Sequence, residues 1–331
     1  MRKAPNSPEI SPCQVEFRKK RRKQRPFIFV FFILICVIAW LVGAYLVSGS
    51  AQQENLAPAN NLVGYPVASA SQGRITDTYS TQENGTYPAS YQTTFRALTF
   101  SQLAGMSNDH LLLVNKDYGM PDYMAGNLVE IAGYVTALNN DILLNEDALA
   151  MLEAMFDSAT ASGFTQFRVT QGFRTHEYQQ DLYNQMAGTG LAARPGHSEH
   201  QVGLAVDISY HGVSIGNSIQ GTWLANYSYR YGFILRYPEH KTDITGVPFE
   251  PWHFRYVGQP HAYFMTHRDI VLEEYIAYLE SNRMISVAFE GVVFTIFYLL
   301  SEDEVLEIPD SHSFWVSRDN TGGIIVTTWR F

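Results

Sequence analysis

Two short segments each set a histidine and a carboxylate in strand-like text. In SEHQVGLAVDI, Ser198–Ile208, His200 and Asp207 lie seven positions apart around Gly203. In EPWHFRYVG, Glu250–Gly258, Glu250 stands three residues before His253. Burying Asp207 among Leu204, Val206 and Ile208 costs several kcal/mol unless something pairs with it. Zinc sites of hydrolytic enzymes use three protein ligands, with imidazole nitrogen and carboxylate oxygen both suitable, and keep one position for water. His200, Asp207 and His253 make such a set, and Glu250 remains as a general base. The expected chemistry is Zn2+-assisted hydrolysis, the dication being what permits Asp207 to be buried.

Both spacings are odd, so on regular strands each pair would point to opposite faces. A turn at Gly203 is expected to bring His200 back to the face of Asp207, and Ala205 leaves room there. Pro251 restricts Glu250 to extended backbone and places it on the loop entering the second strand. Around these segments, strands are expected in FTQFRVTQGF, GLAVDIS and WHFRYVG, and helices in THEYQQDLYNQM and TWLANYSYRYGF. Asn145–Gly163 reads as a helix capped by Asn145, and Asp269–Glu280 as an amphipathic one. LLLVNKDYGMP reads as a strand running into a turn, where order is expected to begin near Leu111. VAFEGVVFTIFYLL and GGIIVTTWRF read as strands of an appended hairpin or small sheet. Without regular βαβ alternation, the expected class is α+β: an antiparallel sheet with flanking helices carrying the zinc site, preceded by one transmembrane helix.

At the site residues the sequence resembles the VanY-type zinc D-alanyl-D-alanine carboxypeptidases. These are relatives of the VanX dipeptidases and of the L,D-carboxypeptidases that trim cell-wall tetrapeptides. Ser198, His200, Gly203, Ala205 and Asp207 match Ser-x-His-x-x-Gly-x-Ala-x-Asp, and Glu250, Trp252 and His253 match Glu-x-Trp-His. The likeness runs from about Leu111 to Glu280. It implies zinc on His200, Asp207 and His253, with Glu250 as the base, and it turns Arg174 and Gln179 toward the substrate. Arg174 would supply a fixed cation, either to a developing oxyanion or to the terminal carboxylate of the substrate. Ser198 either hydrogen-bonds that carboxylate or shapes its loop. Gln171 stands where many relatives have Ser. His197 adjoins the site without matching the pattern, Trp252 is expected to pack rather than flank the cleft, and Arg255 and Tyr256 read as structural.

Charge is divided unevenly along the 331 residues. Residues 1–25 hold nine Lys or Arg against two acids, so the other 306 carry a net −16. Such an acidic body is a poor match for nucleic acid, which needs clustered cations. Phe27–Val47 is uncharged over 21 residues, about 30 Å as a helix, the thickness of a bilayer core. The basic block abutting it keeps the N-terminus cytoplasmic and exports the remainder. The span exceeds the roughly 7–15 apolar residues of a signal peptide, so an uncleaved anchor is expected. Cys13 and Cys36 lie before or within it, leaving no disulfide framework outside.

The expected organisation is a cytoplasmic tail (1–25), an anchor (26–48), a flexible polar linker (49–94), a zinc carboxypeptidase domain (95–282) and a C-terminal β extension (283–331). The expected function is removal of the terminal D-Ala from peptidoglycan pentapeptide stems outside the cell, an activity by which relatives reduce the target of glycopeptide antibiotics. The alternatives are an L,D-carboxypeptidase on tetrapeptide stems and an inactive, metal-stabilised cell-wall-binding module. The spare carboxylate of Glu250 argues against the module, and the expected topology against a cytoplasmic D,D-dipeptidase.

Overall fold

Alternation of period two runs through both motif segments and builds the sheet that carries them. In the computed structural model the residues described are 93–121, 126–189, 192–211, 213–216 and 218–330, with the backbone of 68–69. They fall in one unit, Asn61–Phe331. The expected anchor lies outside the described residues, among which no helix is long and apolar enough to cross a membrane.

In chain order come strands β1 (Ala68–Ser69) and β2 (Phe95–Thr99), then the short helix α1 (Phe100–Ala104). The hairpin β3 (Leu128–Glu130) and β4 (Leu143–Asn145) leads into helix α2 (Glu146–Ala161). Asn145 Oδ1 accepts from the amides of Asp147 and Ala148 at 2.9 and 3.3 Å, capping the first turn as its sequence position implies. Ala148, Leu149, Leu152, Met155, Phe156 and Ala159 form the buried stripe of α2.

The site sheet follows. It comprises β5 (Phe167–Gln171), β6 (Ala205–Tyr210), the short β7 (Val213–Ser214), β8 (Phe233–Leu235) and β9 (His253–Tyr256). Strand order is β5-β6-β9-β8, with β7 on β6 and every pairing antiparallel. Helices α3 (His176–Gln185), α4 (Ile219–Tyr227) and α5 (Thr242–Thr245) lie in its connections. Leu204, Val206, Ile208, Phe254 and Phe233 alternate onto the face that packs with α2. Asp207 and His253 alternate onto the other.

Helices α6 (Gln259–Arg268) and α7 (Leu272–Asn282) join this sheet to a second one. The second sheet contains β10 (Met284–Phe289), β11 (Val292–Leu299), β13 (Ser313–Arg318) and β14 (Ile324–Trp329), in the order β10-β11-β14-β13. One of its faces shares a core with α6, α7 and Ile234 of β8; the other packs on α1 and on a small sheet in which β12 (Glu304–Pro309) lies between β1 and β2. The last fifty residues thus build more than a hairpin.

Two expectations need correction. Leu111–Val114 is buried but forms no strand. Its polar groups go elsewhere: the Leu111 amide donates to Ser317 Oγ at 2.8 Å, the Leu113 amide to the Asp319 carbonyl at 3.0 Å, and the Leu112 carbonyl accepts from Arg255. Side chains and two backbone bonds, the second from the Leu112 amide to the Asp109 carbonyl at 3.1 Å, substitute for a ladder, so an apolar run need not pair as a strand. Order also begins earlier than Leu111, since β2 and α1 precede it.

Candidate metal centre

Register brings two of the expected donors together. Asp207 on β6 lies opposite His253 on β9, and Gln171 on β5 lies opposite Asp207 from the other side. His200 arrives from a 3-10 turn, Glu199–Val202, which ends on Gly203 in the left-handed region at φ 77°. That glycine reverses the chain and resolves the odd spacing, as its position in the motif requires. One ligand atom from each of His200, Asp207 and His253 lies within 4.8 Å of the others, and all three side chains are buried.

Each imidazole is fixed from behind. His200 Nδ1–H donates to the Gly172 carbonyl at 2.8 Å, so Nε2 presents its lone pair, 3.4 Å from Asp207 Oδ1. His253 uses the opposite nitrogens: Nδ1 lies 3.1 Å from the same Oδ1, and Nε2 lies 3.4 Å from Glu199 Oε2. The two rings stand edge to face at 4.8 Å, and Tyr237 packs against His253 at 4.9 Å with the planes tilted by 39°. Partners of this kind orient metal-ligating imidazoles.

Burial opposes ionisation of Asp207, yet the neighbouring His200 and His253 hold its carboxyl well below the usual range. Burial also pulls His253 down, but hydrogen bonds to Asp207 and Glu199 outweigh it and lift the imidazole to about 9. His200 is pushed down, chiefly by burial. Two imidazoles and an anionic carboxylate, closely spaced and oriented from behind, are a donor set that fits zinc.

The remaining expected residues surround this centre. Glu250 sits on the turn entering β9, its amide donating to the Tyr237 carbonyl at 3.1 Å, and its Oε2 lies 3.8 Å from His253 Nδ1. Burial pushes its carboxyl pKa up. Arg174 Nη2 reaches Asp207 Oδ2 at 3.4 Å, while Nε and Nη1 donate to Gln171 Oε1 and Gln179 Oε1 at 3.3 and 3.4 Å. Gln179 is buried and donates to the Ala193 carbonyl at 2.7 Å, so it steadies Arg174 from its own helix. Ser198 is buried at the head of the 3-10 turn and its hydroxyl does not cap it. His197 turns away to the Asn115 carbonyl at 2.6 Å, and Trp252 packs against the core of the site sheet, as expected.

Sequence reasoning missed Glu199. Its side chain is fully buried, and its Oε1 accepts from Arg236 Nε at 2.7 Å and Arg255 Nη1 at 2.9 Å. Arg236 also forms a two-pronged pair with Glu273 at 2.7 and 2.8 Å. The signal was present: an arginine inside the aromatic strand HFRYV, facing the sheet side of Asp207, is a buried charge that must have a partner.

Comparison with known proteins agrees with this geometry. The profile of the VanY family, described as D-alanyl-D-alanine carboxypeptidase, matches residues 141–259. A D-alanyl-D-alanine carboxypeptidase of Enterococcus faecium is 32% identical over 228 residues, covering 66% of this chain and 75% of that protein. The bifunctional D-Ala-D-Ala dipeptidase and carboxypeptidase VanXYC of Enterococcus gallinarum is 34% identical over 51% of this chain and 94% of its own. Among solved structures, the D,D-dipeptidase VanXYg in complex with a D-Ala-D-Ala phosphinate analogue superposes with a TM-score of 0.63 at 27% identity, over 72% of this chain and all of that one. On its donor set and on these similarities, the chain belongs to the VanY family of D-alanyl-D-alanine carboxypeptidases and is a zinc metallo-carboxypeptidase.

Proposed function

We propose that this chain is a membrane-anchored, extracellular D,D-carboxypeptidase that removes the terminal D-Ala from peptidoglycan pentapeptide stems, with His200, Asp207 and His253 holding zinc. The observation that carries the reading is Glu250: a raised, half-buried carboxyl beside three donors, which a purely structural metal site would have no use for. Bound zinc supplies a water acidified to a pKa of about 7 and polarises the scissile carbonyl. Glu250 would take a proton from the attacking water and pass it to the departing D-Ala amine. Its raised pKa suits a group that must both accept and release a proton near neutrality. Arg174, whose guanidinium contacts Asp207, Gln171 and Gln179 beside the donor set, supplies a fixed cation for the developing oxyanion or for the substrate's terminal carboxylate. Ser198 shapes the loop that delivers His200.

Residues 1–25, 26–48 and 49–94 are proposed as the cytoplasmic tail, anchor and linker, 95–282 as the catalytic domain and 283–331 as its β extension. The topology rests on the basic block next to an uncharged 21-residue run. The D-Ala-D-Ala chemistry of the similar Enterococcus proteins supports the substrate class. The test is to incubate the zinc-loaded protein with synthetic pentapeptide and tetrapeptide stems and to follow released D-Ala. Release from the pentapeptide is expected; release from the tetrapeptide alone would make the enzyme an L,D-carboxypeptidase.

A further inference from the structure

The zinc ligands account for three side chains, but the most tightly held carboxylate near them is a fourth. Glu199 spends one oxygen on two arginines and turns the other, Oε2, to His253 Nε2 at 3.4 Å. Both arginines are themselves immobilised. Arg255 Nη2 donates to the carbonyls of His110 and Leu112 at 3.1 and 2.9 Å, and Arg236 is clamped by Glu273, which also accepts from Asn115 Nδ2 at 3.0 Å. Two arginines and two glutamates thereby balance in charge inside the protein. Such a group cannot swing to another partner without leaving a buried guanidinium unpaired.

The His253 ring has a second restraint that does not choose between its nitrogens. Tyr237 packs against its face at 4.9 Å with the ring planes tilted by 39°, yet a half-turn about the Cβ–Cγ bond, which exchanges Nδ1 with Cδ2 and Nε2 with Cε1, would keep that contact. Glu199 removes the degeneracy. A carboxylate facing Nε2 accepts only from Nε2–H, so of the two ring protons the one on Nε2 is held by Glu199 and the one on Nδ1, which faces Asp207, is the one that zinc would displace.

We propose that Glu199 is a positioning residue for the metal centre: it holds His253 with Nε2 protonated and Nδ1 presented to zinc, and the Arg236–Arg255 pair keeps it there. The proposal rests on the zinc-site reading above. Glu199 touches neither substrate nor ion, so its loss acts through His253.

Glu199→Gln is compared with wild type and with Ile325→Ala, a change in the distant core that lowers stability without contacting the site. Zinc affinity is measured by competition with a chromophoric chelator, and kcat and KM are measured separately at saturating zinc. Glu199→Gln is expected to bind zinc about 10–100-fold more weakly and to lose kcat with KM unchanged, while Ile325→Ala lowers the melting temperature and leaves zinc affinity as in wild type. Unchanged affinity in Glu199→Gln, or an equal loss in Ile325→Ala, overturns the proposal. Should Glu199→Gln not fold, the wild-type protein decides. With ring-15N histidine and zinc bound, His253, assigned by its absence from a His253→Asn sample, should show a protonated, solvent-protected Nε2, and a bare Nε2 overturns the proposal. Wild-type protein that binds no zinc would refute the metal centre itself.

Discussion

Glu250 and Glu199 are both carboxylates within reach of His253, and their surroundings separate their roles. Glu199 is pinned by two cations, which overcome the cost of its burial and keep it ionised. Glu250 has no such clamp, and burial raises its pKa. Glu250→Ala is therefore expected to retain zinc and lose about 10²–10⁴-fold in kcat, with metal content and D-Ala release measured on one preparation. Wild-type turnover in that variant would dismiss Glu250 as the base. The gathering of His200, Asp207 and His253 with Glu250 beside them was legible in the sequence because a metal site repeats a small vocabulary, histidine and carboxylate, next to residues that turn the chain. Glu199 was missed: Arg255 inside an aromatic strand signalled a buried anionic partner, but a glutamate on a turn ordinarily faces water, and the fold identifies it by bringing Arg236 and Arg255 onto its side chain.

At the level of elements, β5, β6 and β9 of the site sheet and helices α2 and α7 followed from periodicity. Strand β7 was not expected, and the helix expected to run on to Phe233 ends at Tyr227, leaving Phe233 to open β8. Helix α6 did not follow from periodicity either: QPHAYFMTHR offers few apolar residues at helical spacing, and it is buried through Pro260, His261, Ala262 and Met265. His261 is the unusual member. Its Nδ1 faces the Tyr275 hydroxyl on α7 at 2.7 Å and its Nε2 the Thr327 hydroxyl on β14 at 3.0 Å, linking three elements. Burial, with a smaller effect of His110, pushes its pKa down to about 3. The unfolded chain binds that proton near pH 6.5, so the stabilisation is complete above this value and declines as pH falls toward 3. Between pH 7 and 5 metal-free wild type should lose about 2 kcal/mol more than His261→Gln. Urea unfolding at the two pH values measures it, and equal losses would show that His261 is not held neutral.

Across the whole molecule, metal and fold are coupled because the three donors come from a turn and two strands that meet only when the sheet forms. Zinc at a hundred times its dissociation constant should add about 2.7 kcal/mol to unfolding free energy, seen as a higher melting temperature than in chelator-treated protein. No shift would mean that the donors do not gather in solution. The family profile ends at residue 259, yet Ser317 and Asp319 well beyond it grip Leu111 and Leu113, and the carbonyls of His110 and Leu112 grip Arg255. The closing sheet therefore serves as the far abutment of an arch whose keystone is Glu199, and it is Ser317 and Asp319 at its edge, rather than the apolar side chains inside it, that give a hold on the segment bracing Arg255.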